Sequence, residues 1–454
     1  MSAAMKLDDK DAAYYQGLNG WLLRAVPGEA RDILEVGCAE GRLGAALKQD
    51  RPDRQVFGIE RDPAVAARAA QNLDRVFTLD VEENLPEIAE GSLDLILFGD
   101  VLEHLRDPLA TVRRYRRLLR PTGRVLVCVP NIQYHAVLRS LLRGDFQYQE
   151  QGILDETHLR FFTYASFQKL LLDAGLQPNL LDHVFGSCPP PFFQALLPAL
   201  QYLGVDPVLA QIFLGSHQYI VEGRPLGWDE TSGSEAPLSF IVCVNDEEVL
   251  RDNLLSSPCL RGATPHQIIE VRDASSAAEA FEAGLTHAVH PMAVLVHQDV
   301  YLPAGWPGRF ARQVELAQRR HPGVGVFGVY GVRAAPGSSE GLERLGHVVD
   351  RFRLLRDGGE LPAQVDALDE VLLAFPRDTP LRLDAALGFH NYGTDVVLQA
   401  ASAGLEAVAL DAPCFHNSLL GVGKLSEAFG RSQAHLRARW THRLPLATNN
   451  GLVT

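Results

Sequence analysis

Short apolar runs alternating with helical patterns constrain this chain more than any other feature. DILEVG, QVFGIE, FTLDV, LDLILFGDV and GRVLVCVP succeed one another up to Pro130, separated by stretches such as LGAALKQ, PAVAARAAQNL and PLATVRRYRRLL. Strands joined through helices of that length are joined by crossovers, so neighbouring strands run parallel and the helices cover both faces of the sheet. The expected class is α/β, with a Rossmann-like doubly wound first domain. LSFIVCV, HQIIEVR, MAVLVHQDV and VGVFGVYGV restart the alternation further on, so a second α/β domain follows.

The boundary lies in Glu222–Pro237, EGRPLGWDETSGSEAP, where glycine, proline, serine and acids crowd together. We expect a first domain over 1–222, a linker over 223–237 and a second domain over 238–454. Within the first, 131–215 departs from simple alternation and reads as an insertion covering a substrate. With 454 residues, 46% hydrophobic and 22% charged, each unit can bury its own core. The formal net charge of -14 argues against DNA or an anionic membrane as a partner held by bulk charge. No apolar run is long enough for a transmembrane segment, and the N-terminus is polar and acidic where a signal peptide would be basic and then apolar. The six cysteines form no CxxC pair, which suits a reducing compartment. A soluble, cytoplasmic protein is expected.

Glu35-Val-Gly37-Cys-Ala-Glu-Gly41 ends the first strand and opens a helix. Glycines there let backbone approach a ligand, and the helix start presents N–H groups. The spacing resembles a dinucleotide fingerprint, but Ala39 stands in place of the central glycine, which serves a pyrophosphate poorly. Glu35 suits the amino group of a cationic ligand instead. Glu60 ends the second strand, where an acid holds ribose hydroxyls, and Asp80-Val81 ends the third, in position to meet an adenine. Together EVGCAEG, GIERDP, FTLDVEE and LFGDVLEHLRDP resemble the class I S-adenosylmethionine-dependent methyltransferases over roughly residues 15 to 222. The resemblance implies S-adenosyl-L-methionine as cofactor, held by Glu35, Gly37, Gly41, Glu60, Asp80, Val81 and Asp100. His104 is the expected base for a hydroxyl acceptor. In relatives carrying EHL, the Glu-His pair and a later histidine can instead bind a divalent ion, so Glu103 and His158 are candidates for acceptor or metal binding. The arginines at 113, 114, 116, 117 and 120 read as a solvated helix face.

In the second half, a strand runs into Asn245-Asp246, and VLVHQDVYL is an apolar strand ending in His297-Gln298-Asp299. A strand of this kind delivers an acid to the sheet edge, where it can coordinate a cation bridging a nucleotide diphosphate. Gly388-Phe-His390-Asn-Tyr392-Gly393-Thr-Asp395 places another acid at a helix start, and Pro413-Cys-Phe-His416 follows a strand. These elements resemble the GT-A glycosyltransferases, the HQD form being similar to the glycosyltransferase-2-like families. By that resemblance Asn245 and Asp299 meet the nucleotide sugar. Asp299, His416 and His297 hold a magnesium or manganese ion, and Asp395 is the catalytic base of an inverting transfer. The chain is therefore expected to be a bifunctional enzyme of glycan biosynthesis that combines methyl and glycosyl transfer on a glycan or sugar acceptor. Two alternatives stand beside this expectation: a methyltransferase with a non-catalytic glycan- or nucleotide-binding second domain, and a metal-dependent RNA ribose methyltransferase.

Overall fold

A computed structural model describes residues 17–227, 236–335, 341–351, 354–357, 359–418 and 426–454. They form two compact units, one up to residue 227 and one from 236 onwards.

The first unit is built on strands β1 (Asp32–Val36), β2 (Gln55–Glu60), β3 (Arg75–Thr78), β4 (Leu93–Gly99), β5 (Leu119–Pro130), β6 (Leu176–Phe185) and β7 (Ser216–Pro225), arranged in the order 3-2-1-4-5-7-6. β1 to β5 pair with one another in parallel, while β7 lies antiparallel to both β5 and β6. From β1 the chain works outward to β3, then returns to place β4 on the other side of β1. The loops after β1 and β4 therefore diverge, and the crevice between them is where ligands bind in open α/β sheets. Ile33, Val56, Leu95, Leu97, Leu126 and Ile220 pack into one core cluster and hold this edge in place.

The insertion is narrower than 131–215. The helix Tyr164–Asp173, closed by a Thr163/Ser166 capping box, packs Phe167, Leu171 and Leu172 inward and leads directly into β6, an edge strand of the sheet. β6 escapes a reading by alternation because burial is confined to its first three residues and its register with β7 shifts twice, leaving Asp182 among the exposed positions.

In the second unit, Ala363–Gln364, Glu406–Ala409, Val324–Gly328, Leu372–Pro376, Met292–Val296, Ser239–Val244 and Gln267–Arg272 lie side by side in that order. The sheet is mixed, because Leu372–Pro376 runs antiparallel to both its neighbours. A smaller sheet contains Val300–Tyr301, Cys414–His416, Leu342–Asp350, Tyr330–Ala334 and Ala367–Leu368, with Leu354–Asp357 pairing against Leu342–Asp350. Its register sets His416 opposite Val300 on one side and opposite Asp350 on the other. Among the described residues no helix is long and apolar enough to cross a membrane.

Candidate active sites

The loop after β1 turns through three left-handed residues, Gly37 (φ 68°), Ala39 (φ 47°) and Gly41 (φ 74°). A Cβ on Gly37 would lie 2.7 Å from Val101 Cγ2, so glycine is needed for the close approach as well as for the dihedral. Ala39 has no such freedom, and a non-glycine residue in this region costs roughly 1–2 kcal/mol. Its backbone N–H is held by Glu60 Oε2 at 3.1 Å, while Glu60 Oε1 accepts from Asp62 N at 3.0 Å. Burial raises the Glu60 carboxyl above its ordinary range against these donors. Glu35 Oε2 accepts from Gly44 N at 3.2 Å inside the following helix. Burial pushes Glu35 up to about 8. Glu35 thus ties strand to helix, and a cationic group beside it would favour its charged form.

Two cavities meet at this loop. One, of about 180 Å³, is lined by Ile59, Glu60, Asp62, Leu79, Asp80 and Val81. The other, of about 660 Å³, is lined by Trp21, Glu35, Glu103, Ile153, His158 and His217 among others. Gly37, Ala39, Asp100 and His104 line both. Asp100, at φ 54°, ends β4 in a left-handed turn. Its carboxylate accepts from Asn19 Nδ2 at 3.2 Å and from Gln218 Nε2, and burial pushes it up to about 6. Neither Asn19 nor Gln218 stands out in the sequence. Asn19 also caps the helix Gly20–Ala25, accepting from Leu22 N, a role its type could have suggested.

Glu103, His104 and His158 offer donor atoms within 4.8 Å of one another. Thr157 Oγ1 donates to Asp155 Oδ1 at 2.7 Å and accepts from His104 Nδ1 at 3.1 Å. His158 Nδ1 donates to Ile153 O at 2.9 Å. In the neutral rings both protons therefore sit on Nδ1 and both Nε2 atoms carry the lone pair. The rings meet edge to face, 4.8 Å between centroids, and His158 Nε2 lies 4.0 Å from Glu103 Oε1. Glu103 is only 1% exposed, its Oε2 has no hydrogen-bond partner among the described residues, and burial raises its carboxyl well above the ordinary range. A buried oxygen left without a partner is costly unless a cation or substrate completes it, so this donor set fits a divalent ion. Leu159 N and Arg160 N both donate to Glu103 O, fixing the later histidine beside the pair.

In the second unit His297, Asp299 and His416 also bring donor atoms within 4.8 Å of one another. Asp299 immediately precedes Val300–Tyr301, so the pairing of that strand with Cys414–His416 joins residues far apart in sequence. Asp350, which sequence reasoning missed, accepts from His416 Nδ1 at 3.0 Å, leaving Nε2 turned to Asp299 Oδ2 at 3.4 Å. Tyr392 donates its hydroxyl proton to Glu370 O at 3.2 Å, so His297 Nε2, 3.2 Å from the same hydroxyl, is the donor there. His297 Nδ1 then presents its lone pair, 3.9 Å from Asp299 Oδ1. Burial pushes Asp299 up, but the facing histidines outweigh it and hold the carboxyl down at about 2. Two imidazoles, each fixed through its other nitrogen, and one ionised carboxylate make a set that fits a divalent cation. Gln298 joins the ends of two strands, its Oε1 accepting from Asn245 N at 3.0 Å and Asp246 N at 3.2 Å, and leaves Asn245 on the exposed rim.

Asp395 does not join this group. It is fully buried, its Oδ1 accepting from Trp440 Nε1 at 2.7 Å with Arg439 Nε at 3.2 Å, and its Oδ2 accepting from Gln399 Nε2 at 2.6 Å. A base must come within hydrogen-bond reach of the proton it takes, and this carboxylate has no accessible surface. The expectation of a catalytic Asp395 is corrected to an anchor for the helix Glu427–Arg439 and the residue after it.

Two separate stretches of the chain are similar to known proteins. Residues 12–180 match the model of a methyltransferase domain, and residues 239–420 that of a glycosyltransferase like family. A probable S-adenosylmethionine-dependent methyltransferase of Mycolicibacterium smegmatis is 34% identical over 150 residues, 32% of this chain and 52% of that protein. A ubiquinone biosynthesis O-methyltransferase of Pseudomonas paraeruginosa is 26% identical over 151 residues, 32% of this chain and 65% of that protein. Among solved structures, a SAM dependent methyltransferase from Archaeoglobus fulgidus matches with 12% identity and a TM-score of 0.31, covering 43% of this chain and 86% of its own. The chain spans about half the length of the mycobacterial relatives it matches. Its N-terminal unit is a methyltransferase domain of the S-adenosylmethionine-dependent kind, and its C-terminal unit is a glycosyltransferase-like domain.

Asp395→Ala should lower stability by about 1–3 kcal/mol, because the buried Trp440 N–H loses its acceptor. Chemical denaturation followed by Trp fluorescence checks this, and an unchanged midpoint would contradict the anchoring role.

Proposed function

We propose that the protein is a bifunctional transferase of glycan biosynthesis. Its first domain moves a methyl group from S-adenosyl-L-methionine to a hydroxyl, and its second moves a sugar from a nucleotide diphosphate donor. The observation that carries the first half is the meeting of two cavities at Gly37, Ala39, Asp100 and His104. A nucleoside in the smaller cavity would lie against Glu60, Asp80 and Val81, with Glu60 on the ribose hydroxyls. The methionine part would pass Gly37 and Gly41 towards Glu35 and Asp100, leaving the sulfonium at the junction. S-adenosyl-L-methionine supplies an electrophilic methyl group there. His104 Nε2 takes the acceptor proton, or with Glu103 and His158 holds a divalent ion that lowers the acceptor's pKa. The name of the ubiquinone biosynthesis relative supports a hydroxyl acceptor.

The second half rests on the His297, Asp299 and His416 cluster at one sheet edge. His297, Asp299 and His416 would hold a magnesium or manganese ion there, whose charge would offset that of a departing diphosphate, with Asn245 on the donor side. The burial of Asp395 favours a second reading, in which this domain binds a nucleotide or glycan without turnover. The acidic balance of the whole chain gives the RNA ribose alternative little support.

Glu60→Ala should weaken S-adenosylmethionine binding by about 30- to 150-fold, the equivalent of roughly 2–3 kcal/mol; calorimetry showing parental affinity would remove Glu60 from the site. His104→Ala should abolish methylation with cofactor affinity nearly unchanged, since the loss falls in the transition state. Chelator sensitivity of the parent then tells base from metal ligand, and full activity in the variant would exclude both. Asp299→Ala should remove the manganese dependence of uridine diphosphate binding. Nucleotide affinity indifferent both to manganese and to this substitution would leave the second domain without a cation site.

A further inference from the structure

We infer that the first domain docks on an anionic lipid bilayer, through the helical hairpin between β6 and β7 and through the helix His135–Leu142 with the loop after it. The hairpin consists of the helices Pro190–Tyr202 and Pro207–Gly215. From Val184 to Ser216 the chain carries one charged side chain, Asp206. That carboxylate is taken up in capping the second helix, accepting from Val208 N at 2.8 Å and Leu209 N at 3.1 Å. A helix facing water ordinarily turns a charged face outward. Here the outward positions of the first helix are prolines, alanines and glutamines, ending in Tyr202, which is 90% exposed, and the chain goes on to an exposed Leu203. Val208, 66% exposed, continues this surface into the second helix.

The buried side of the hairpin, Phe193, Ala210 and Leu214, forms a small cluster against which Leu138 of the helix His135–Leu142 packs. That helix and the loop after it extend the apolar surface, with Leu141, Leu142, Phe146 and Tyr148 all exposed. Ten of the fourteen exposed large hydrophobic side chains among the described residues fall within 141–208. Single exposed apolar residues are ordinary, whereas such a concentration marks an interaction surface.

Charge decides which surface it fits. Residues 135–149 hold two arginines, Arg139 and Arg143, against one acid, Asp145, in a chain whose net charge is -14. Both arginines are exposed, and among the described residues neither is paired with a carboxylate. Lipid phosphates accept from free guanidinium groups, while leucines beside them enter the apolar boundary, the composition of segments that lie in the plane of a membrane. Tyrosine suits the same boundary, apolar along its ring and polar at its tip. Bulk charge does not draw this chain to such a surface; a local excess of arginine and apolar insertion do. Val184 and His217, at the two ends of the hairpin, and Gln151 to Ile153, just after Tyr148, line the larger cavity of the first domain. On the methyl-transfer reading, docking through these segments brings that cavity to an acceptor carried on a lipid.

The test is flotation of the full chain with vesicles of phosphatidylcholine alone and of phosphatidylcholine mixed equally with phosphatidylglycerol. It is read with no methyl or sugar donor present, so its outcome stands apart from either transferase activity. The parent should float with the mixed vesicles and more weakly with the neutral ones. Tyr202→Glu combined with Leu203→Glu should lower partition by roughly 10²-fold, because two side chains lose their apolar burial, with the melting curve unchanged. Arg139→Gln combined with Arg143→Gln should lower binding to the mixed vesicles by about 30-fold, each arginine contributing about 5-fold, and leave binding to neutral vesicles as it was. Absence of flotation with either vesicle overturns the docking, as does flotation indifferent to both double variants. Equal binding of the parent to the two vesicle types overturns the anionic preference. A parent that sediments as a dimer, and becomes a monomer in the Tyr202→Glu and Leu203→Glu variant, overturns the inference in favour of a second copy of this chain.

Discussion

The first site depends on two carboxylates accepting from backbone N–H groups: Glu60 from Ala39, and Glu35 from Gly44. Together they pin the loop between β1 and its helix to the ends of two adjacent parallel strands. Ala39 can persist at φ 47° because its neighbours over-determine it, the Glu60 bond offsetting the dihedral cost. With the loop fixed, Gly37 lies close against Val101 where the two cavities meet.

The two domains assemble their chemistry differently. In the first, the residues come from the carboxyl ends of neighbouring parallel strands, which lie across the crevice in the order β3, β2, β1, β4. In the second, Asp299, His416 and Asp350 come together through a small sheet in which antiparallel and parallel pairings set them side by side. Each histidine of that cluster is oriented by a partner behind it: Asp350 for His416, Tyr392 for His297. Such partners fix the tautomer, and hence which nitrogen can face a cation. The first domain repeats the device with Thr157 behind His104 and Ile153 O behind His158.

Buried polar groups sort the acids by task. Asp395 has all its hydrogen bonds filled by Trp440, Gln399 and Arg439, and it serves the fold. Glu103 is nearly as buried but, among the described residues, keeps one oxygen without a partner, as suits a group that a cation or substrate completes.

The alternation of strand and helix, the glycine loop, the acids at Glu60 and Asp80, and the pairing of Glu103 with His104 were all legible in the sequence, because each is a local pattern set by backbone periodicity or by a turn. The edge strand β6 was not legible, since a half-exposed strand with two register shifts carries little alternation. Nor were Asn19, Gln218, Asp350 or Tyr392, whose parts are set by contacts across long stretches of chain. Asp395 shows the limit most clearly: its place at a helix start was readable, but the direction its carboxylate faces was decided by Trp440 and Arg439, which only folding brings to it. Sequence specifies which residue types stand at the ends of strands and helices; tertiary packing decides which of them remain open to a ligand and which are consumed in holding the fold together.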